Sequence, residues 1–232
     1  MAEEKSEKKK KTAREIIENY DGPKVRIMEV CGTHTHEIFR LGIRKLLPEQ
    51  VELISGPGCP VCVTPVSFID EAIYLALEKG VTICTFGDLV RVPGTRMSLA
   101  GAREQGAEIH VVYSPADAEE YAREHPDRQV TFLSVGFETT TPAGCLSVKA
   151  AKTDGLENYS ILTANKTMPQ AYEVLKGSAD VFLYPGHVNA ITGTRLCEAL
   201  TEEGVSGVVA GFTAKELMTA LAVALVKFQE GK

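Results

Sequence analysis

Two cysteines stand three positions apart in a short segment that can support metal binding or thiol redox chemistry. The segment, Gly56-Pro-Gly-Cys-Pro-Val-Cys62, is stiffened by its prolines and loosened by its glycines. Thiols at this spacing can share a metal or close into a reducible disulfide. A structural zinc site usually needs two such pairs, and the sequence has no second one. We therefore take Cys59 and Cys62 as candidate catalytic residues for thiol redox steps, with a thioredoxin-type redox motif and extra metal ligation as alternatives.

A second segment, Cys31-Gly-Thr-His-Thr-His36, places one thiol and two imidazoles within six residues. A cysteine at a strand end, followed by glycine, puts its sulfur at the start of the next helix, where free N–H groups and the helix dipole stabilise a thiolate. Cys31, His34 and His36 are therefore candidate metal ligands, and Thr33 is a candidate cofactor-binding residue. The competing interpretation is a packed cysteine followed by histidines that cap the helix.

Two further strand ends carry polar groups that suit ligand binding or proton transfer. In Gly136-Phe-Glu-Thr-Thr-Thr-Pro142, exposed N–H groups and the hydroxyls of Thr139 and Thr140 suit an anion or a small polar ligand. Glu138 and His187, the latter in Pro185-Gly-His-Val188, are candidate catalytic residues for handling protons. The alternatives are an ordinary capping turn and a structural histidine. The other cysteines, Cys84, Cys145 and Cys197, lie in apolar patterns and are predicted to pack in the core.

Composition narrows the class of protein. The chain has 232 residues, 44% hydrophobic and 24% charged, with a formal net charge of −6, which argues against a nucleic-acid protein. Lys8–Lys11 lie in a charged N-terminal stretch, which we predict to be a flexible tail. We see no export signal and no run of the roughly 20 apolar residues that a membrane span needs. Six cysteines without an export signal indicate a reducing, cytoplasmic location.

Short apolar runs alternate with helical patterns, which predicts an α/β fold with parallel sheets. We predict two similar α/β domains around a central cleft, with residues 25–113 as domain I and residues 114–212 as domain II. Residues 1–24 are assigned to the flexible tail with a short helix, and residues 213–232 to a C-terminal helix. The predicted strands are 25–30, 51–54, 81–86, 109–113, 130–135, 159–163, 181–184 and 207–210, and the predicted helices are 36–47, 67–79, 98–105, 116–124, 143–152, 169–176, 191–203 and 214–229. Ligands bind at the carboxyl ends of parallel strands, so the unusual motifs are expected to line the cleft.

The order and spacing of these motifs resemble the HypD family of [NiFe]-hydrogenase maturation proteins. The resemblance covers residues 25–228 and also includes Thr85-Phe-Gly-Asp88, Arg91-Val-Pro-Gly94 and Val112-Tyr-Ser-Pro115. It implies an iron-binding assembly scaffold with thiol redox chemistry rather than a turnover enzyme. On such a scaffold the Fe(CN)2CO group of the hydrogenase is built with a HypC-type small chaperone, while the HypE–HypF pair delivers cyanide.

For individual residues, the resemblance implies that Cys31 holds the iron together with a cysteine of the chaperone, and that Cys59 and Cys62 perform thiol redox steps. It also implies two similar α/β domains and a third domain with a [4Fe-4S] cluster. No cysteine follows Cys197, so that cluster is not expected in this chain. The chain also departs from the family pattern at Asn165 and Thr213. A thiol–disulfide redox protein and a metal-binding paralogue that uses the cysteine pair remain the alternative functions.

Overall fold

Two four-stranded, fully parallel β-sheets organise the chain in the computed structural model, which describes residues 11–231. All eight predicted strands are confirmed, and each is a short run of mostly apolar residues flanked by helices. The tail prediction for residues 1–10 lies outside the described residues, and the short helix expected after it is present. The strands are β1 (Val25–Glu29), β2 (Val51–Ser55), β3 (Thr82–Thr85), β4 (Ile109–Val111), β5 (Val130–Ser134), β6 (Tyr159–Thr163), β7 (Val181–Pro185) and β8 (Gly207–Ala210).

The helices follow the predicted pattern, with two differences that glycines explain. The predicted helix 36–47 begins earlier and is interrupted at Gly42, whose φ is 65°, so that a 3-10 helix, Ile43–Leu46, follows it. The predicted helix 191–203 is two helices separated at Gly193, whose φ is 78°. The helices are α1 (Ala13–Glu18), α2 (Gly32–Arg40), α3 (Val66–Lys79), α4 (Leu99–Glu104), α5 (Pro115–Glu124), α6 (Thr141–Thr153), α7 (Met168–Leu175), α8 (Gly186–Thr192), α9 (Arg195–Glu202) and α10 (Ala214–Gln229).

The chain divides into two compact units, and the division differs from the predicted one. The first unit contains the chain up to Gly58 and from Ala171 onward, and the second unit is the continuous stretch Cys59–Gln170. The predicted boundary at 113/114 therefore falls inside the second unit. The reason is that β7 pairs with β1, far earlier in the sequence, in the register Ile27↔Val181. Alternation of strands and helices predicts a parallel sheet, but it does not reveal which strands become neighbours.

Both sheets have the same strand order when the strands are counted within each unit. The first sheet runs β2-β1-β7-β8 and the second runs β4-β3-β5-β6, so each unit has its strands in the order 2-1-3-4. This shared topology agrees with the predicted pair of similar α/β domains. In such a sheet the order reverses between the first and the third strand, and ligands bind outside the carboxyl ends of the strands at that point.

Each unit has its own hydrophobic core. In the first unit, α1, α2 and α10 cover the sheet, and their buried side chains include Ile17, Ile38 and Leu221. In the second unit, α3 and α4 pack against residues such as Ile83 and Leu133. None of the helices in residues 11–231 is both long enough and apolar enough to cross a membrane.

Truncation of Leu221 should destabilise the first unit. Leu221 is fully buried on α10, so Leu221→Ala should lower the free energy of unfolding by roughly 2–5 kcal/mol through lost burial and a residual cavity. Val223 on the same helix is 41% exposed, and Val223→Ala should cost less than about 1 kcal/mol. Urea denaturation followed by circular dichroism measures both, and equal losses for the two variants would contradict this packing.

Candidate functional site

Glycines follow the carboxyl ends of all four strands in the first sheet. Gly32 lies just after β1, Gly56 after β2, Gly186 after β7 and Gly211 after β8. At two of these positions a side chain would force its surroundings to move: an added Cβ would lie 2.8 Å from Met28 Sδ and 3.1 Å from Glu29 O at Gly56, and 2.8 Å from Ala210 O at Gly186. The backbone is therefore packed closely at this edge of the sheet, where the strand order reverses between β1 and β7.

Cys31 lies at this reversal, at the end of β1 and at the N-cap of α2. Its side chain makes no capping hydrogen bond, and the residue is 7% exposed. The first helical N–H, that of Gly32, instead donates to Gly58 O at 3.3 Å. A backbone carbonyl thus satisfies one of the N–H groups at the start of α2. The Cys31 thiol is not used for capping and is available for other chemistry.

Gly58 touches the backbone around Cys31 so closely that only glycine fits. An added Cβ at Gly58 would lie 2.2 Å from Gly32 N and 2.4 Å from Cys31 C. The segment that precedes the cysteine pair is therefore fixed against the backbone that presents Cys31. The sequence contains this glycine but does not reveal that the backbone of Cys31 and Gly32 packs against it.

His34 is fully buried on α2, and its ring is fixed by backbone carbonyls. Nε2 lies 3.2 Å from Ala210 O and 3.0 Å from Gly211 O, and because carbonyls only accept, Nε2 carries the proton. Nδ1 has no hydrogen-bond partner within residues 11–231. Burial lowers the pKa of His34, and the hydrogen bonds to the carbonyls only partly oppose this effect. The imidazole is therefore neutral at pH 7, with one buried nitrogen lone pair.

The Phe212 ring contacts the imidazoles of both His34 and His187, and the sequence analysis did not predict this residue as part of the site. Its ring centroid lies 4.7 Å from that of His34 and 5.0 Å from that of His187. His187 follows β7 and so belongs to the first unit, together with Cys31, rather than to the predicted domain II. The charge of His187 also contributes to the lowered pKa of His34. The sequence feature that could have indicated Phe212 is its position directly after Gly211, the glycine at the end of β8.

The predicted metal ligands of the first segment do not gather into one cluster. Successive helical residues are rotated by about 100°, so His34 and His36 point about 200° apart. The His36 side chain is 71% exposed, next to Glu37, and Thr33 is also exposed. Within residues 11–231, no three His, Cys, Asp or Glu side chains are arranged to hold a metal ion. Cys31 is therefore not accompanied by His34 and His36 in a preformed site.

The cysteine pair lies in a short turn at the start of the second unit. Val63 N donates to Cys59 O at 3.3 Å, and Thr64 Oγ1 donates to Pro60 O at 2.9 Å, so the chain makes one helix-like turn before α3. Cys59 is half-buried and Cys62 is exposed, and both are free thiols. A hydrogen bond with Cys59 raises the pKa of Cys62, which indicates that the two thiols are neighbours.

The predicted polar turn of the second unit follows β5, next to the reversal of strand order in the second sheet. Glu138 is half-buried, with Oε1 accepting a hydrogen bond from Met168 N at 2.7 Å and Oε2 buried without a partner in the described part of the chain. Thr139 is exposed and Thr140 is half-buried. An added Cβ at Gly136 would lie 2.4 Å from Thr140 Cβ, so Thr140 packs over the strand end. The turn thus offers one free carboxylate oxygen and one exposed hydroxyl.

A buried carboxylate next to the first segment was not predicted. Glu29, the last residue of β1, is fully buried, and its Oε1 accepts a hydrogen bond from Arg44 at 2.6 Å. Arg44 also donates to Leu53 O and Ser55 Oγ, so it connects the ends of β1 and β2. Burial raises the pKa of Glu29, and Arg44 opposes the shift. A glutamate in an apolar strand pattern was the signal that the sequence offered.

The prediction for the remaining cysteines is confirmed for two of them and wrong for the third. Cys84 is fully buried and Cys197 is 9% exposed, and burial raises the pKa of Cys84 to about 12. Cys145 is exposed instead. It follows Gly144, which faces Ser134 on the sheet, so the helical rotation turns Cys145 outward.

Comparison with known proteins places these features in a family. A sequence profile named HypD, described as "Hydrogenase formation hypA family", matches residues 7–232. The hydrogenase maturation factors HypD of Rhodobacter capsulatus, Cupriavidus necator and Escherichia coli are 43%, 42% and 43% identical to this chain. The alignments cover 90%, 91% and 84% of this chain, but 56%, 59% and 53% of those proteins. The chain thus spans little more than half the length of these relatives.

A side chain at position 58 should make Cys31 more reactive. Gly58→Ala places a Cβ against the backbone of Cys31 and Gly32, so the loop must move away. We expect Cys31 to be alkylated by iodoacetamide about tenfold faster, which corresponds to roughly 1.4 kcal/mol of conflict relieved by opening. Peptide mapping by mass spectrometry follows Cys31 separately from the other thiols.

Gly32→Ala is the matched control for this substitution. A Cβ at Gly32 would lie 3.6 Å from Gly58 O, an ordinary contact, so alkylation of Cys31 should stay near the wild-type rate. An unchanged rate in folded Gly58→Ala protein would contradict the importance of this contact.

Glu29 should make stability fall as pH rises. Because its pKa is raised in the folded protein above the ordinary value of 4.5, the folded chain keeps this proton after the unfolded chain has lost it. Its contribution to stability is therefore complete below pH 4.5 and is lost as pH rises toward the folded pKa. The stability of Glu29→Gln relative to wild type should accordingly increase with pH, as measured by urea denaturation across this range.

Glu216 should change stability with pH in the opposite direction to Glu29, so it serves as the control. Hydrogen bonds from Thr213 lower the pKa of Glu216, so its contribution is present above 4.5 and is lost as pH falls through the folded pKa. Glu216→Gln should lose stability relative to wild type as pH rises. The same direction of change in both variants would refute the assignment.

Proposed function

Because the chain belongs to the HypD family of hydrogenase formation proteins, we propose that it acts in hydrogenase maturation, as a scaffold on which a cysteine thiolate holds iron during assembly of the Fe(CN)2CO group. The iron group is the cargo of the scaffold rather than a resident cofactor. The proposed partners are a HypC-type chaperone, whose N-terminal cysteine supplies a second thiolate, and the HypE–HypF pair, which delivers cyanide.

The position of Cys31 is the observation that carries this proposal. The thiol lies where the strand order of the first sheet reverses, at the N-terminus of a nine-residue helix, and makes no capping hydrogen bond. The positive end of the helix favours negative charge on the sulfur, which metal binding requires. Iron that carries cyanide and carbon monoxide is thiophilic, so a thiolate suits it better than a carboxylate does. A single thiolate from this chain also agrees with a scaffold that must later release its cargo.

The cysteine pair would supply electrons for reductive steps. Oxidation of the Cys59 and Cys62 thiols to one disulfide releases two electrons and two protons. The electrons would go to the iron-bound assembly, and Glu138 and His187 are the proposed proton-handling residues, each within its own unit. Glu138 Oε2 has no hydrogen-bond partner among the residues that the structure describes, which supports this role, because such a carboxylate oxygen can accept a proton directly.

A thiol–disulfide redox protein without iron is the second candidate. It is favoured by one observation: Cys59 and Cys62 are free thiols in one short turn, where a disulfide can form with little movement. This function would require turnover with thioredoxin-like donors and would not depend on Cys31.

Infrared spectroscopy and iron quantification on protein purified anaerobically from its own host separate the two candidates. The scaffold predicts bands in the cyanide and carbonyl stretching region, and Cys31→Ala should reduce both the bands and the iron content to below about a tenth of wild type, since the anchoring ligand is lost. Cys145→Ala removes an exposed thiol outside the site and should change neither.

Iron binding that survives Cys31→Ala would overturn the proposal. Iron-free protein that lacks these bands, but forms a reversible Cys59–Cys62 disulfide, would assign the chain to thiol redox chemistry instead.

A further inference from the structure

Asn165 uses every polar atom of its side chain in hydrogen bonds at the end of β6. Its Oδ1 accepts from Ser134 Oγ at 2.9 Å and from Thr163 Oγ1 at 3.2 Å, and its Nδ2 donates to Thr141 Oγ1 at 2.6 Å. Its backbone N–H donates to Thr163 Oγ1 at 3.3 Å. One amide therefore connects the end of β5, the end of β6 and the start of α6. Both the carbonyl and the NH2 group are needed for these contacts.

The backbone on either side of Asn165 is attached to the segment that follows β5. Ala164 N donates to Ser134 O at 2.9 Å, and Lys166 N donates to Gly136 O at 3.0 Å, so the parallel pairing of β5 and β6 continues past the ends of the strands. Asn165 lies between these two bonds. Its side chain is thus held in one place by the backbone and can act as a fixed support.

The hydrogen bond between Asn165 and Thr141 connects Asn165 to the turn that contains Glu138. Thr141 Oγ1 accepts the proton of the Asn165 amide and donates its own to Phe137 O at 2.8 Å. Phe137 O also accepts from the backbone N–H groups of Thr140 and Thr141, each at 3.0 Å. Glu138 is the first residue inside the turn that these bonds close. Since linked hydrogen bonds strengthen one another, the chain from Asn165 to Phe137 stiffens the turn.

The carboxylate of Glu138 is attached to the same segment from the other side. Met168 N, three residues after Asn165, donates to Glu138 Oε1. Oε2 is buried and has no partner in the described residues. The turn and the carboxylate therefore both depend on residues 163–168, and the arrangement leaves one oxygen of Glu138 uncommitted.

We propose that Asn165 is a positioning residue that acts through Thr141 to hold Glu138 with Oε2 free for a ligand or a proton. This inference rests on the proposed role of Glu138 as a proton acceptor and identifies the residue that sets its geometry. Asn165 touches no reacting group itself. Its amide is required because a carboxylate at this position could accept from Ser134 and Thr163 but could not donate to Thr141.

Carbodiimide-coupled amidation of Glu138, followed by peptide mapping at one fixed pH, tests the proposal without iron. Asn165→Asp keeps the acceptor but breaks the link to Thr141, and Thr141→Val breaks the same link from the other side. Both should raise the rate of Glu138 modification about tenfold. The reason is that the turn is then free to move, so that Glu138 Oε2 is no longer held in its buried position.

The double variant and a control on β6 make the test specific. If Asn165 acts through Thr141, the double variant should be no more reactive than either single variant. Ser160→Ala removes a 2.8 Å hydroxyl contact with Thr131 in the body of the same sheet and should leave Glu138 as in wild type. Thermal unfolding of each variant is measured in parallel.

A lowered melting temperature together with wild-type modification of Glu138 would show that Asn165 is merely structural and would overturn the proposal. Additive effects of the two single variants would overturn the route through Thr141. Neither measurement depends on iron, so loss of the scaffold proposal through the Cys31 experiment would be a separate result.

Discussion

The reversal of strand order in each sheet is the constraint on which the chemistry of this chain depends. With the order 2-1-3-4, the chains leaving the first and third strands run to opposite faces of the sheet, and the strand ends between them are left uncovered by their own helices. Cys31 and His187 follow β1 and β7, the two strands that flank this point in the first unit. Glu138 follows β5, one of the two corresponding strands in the second unit. Glu138 follows the third strand of its sheet, as His187 does in the first unit, so this topological position holds an imidazole in one unit and a carboxylate in the other.

The buried polar groups near these strand ends break the packing rules that the rest of the fold obeys. Glu29 and His34 are fully buried, and neither Glu29 Oε2 nor His34 Nδ1 has a hydrogen-bond partner among residues 11–231. Each such group costs stability, because its hydration is lost and is not fully replaced. The apolar faces of α10 and of the central strands supply the compensating burial in the first unit. Departures of this kind are expected where a protein trades stability for function.

The sequence predicted local features well, because local physics decides them. Apolar runs located all eight strands, and helical patterns located the main helices between them. Features that depend on distant partners were not predictable in this way. The pairing of β1 with β7 moved His187 into the unit of Cys31, and the roles of Phe212 and Asn165 follow from contacts with residues far along the chain. Motif spacing therefore gave the candidate residues, whereas strand pairing decided which of them lie in the same unit.

The continuity of the second unit sets an order for folding during synthesis. Cys59–Gln170 includes all four strands of its own sheet, so this unit can form as soon as it has left the ribosome. Before β7 and β8 are made, the first unit has only β1 and β2, and the edge of β1 that later pairs with β7 is open. An unpaired strand edge invites association with other chains. The inserted unit therefore prolongs the period in which the nascent chain depends on protection from aggregation, and the thiol of Cys31 acquires its surroundings last.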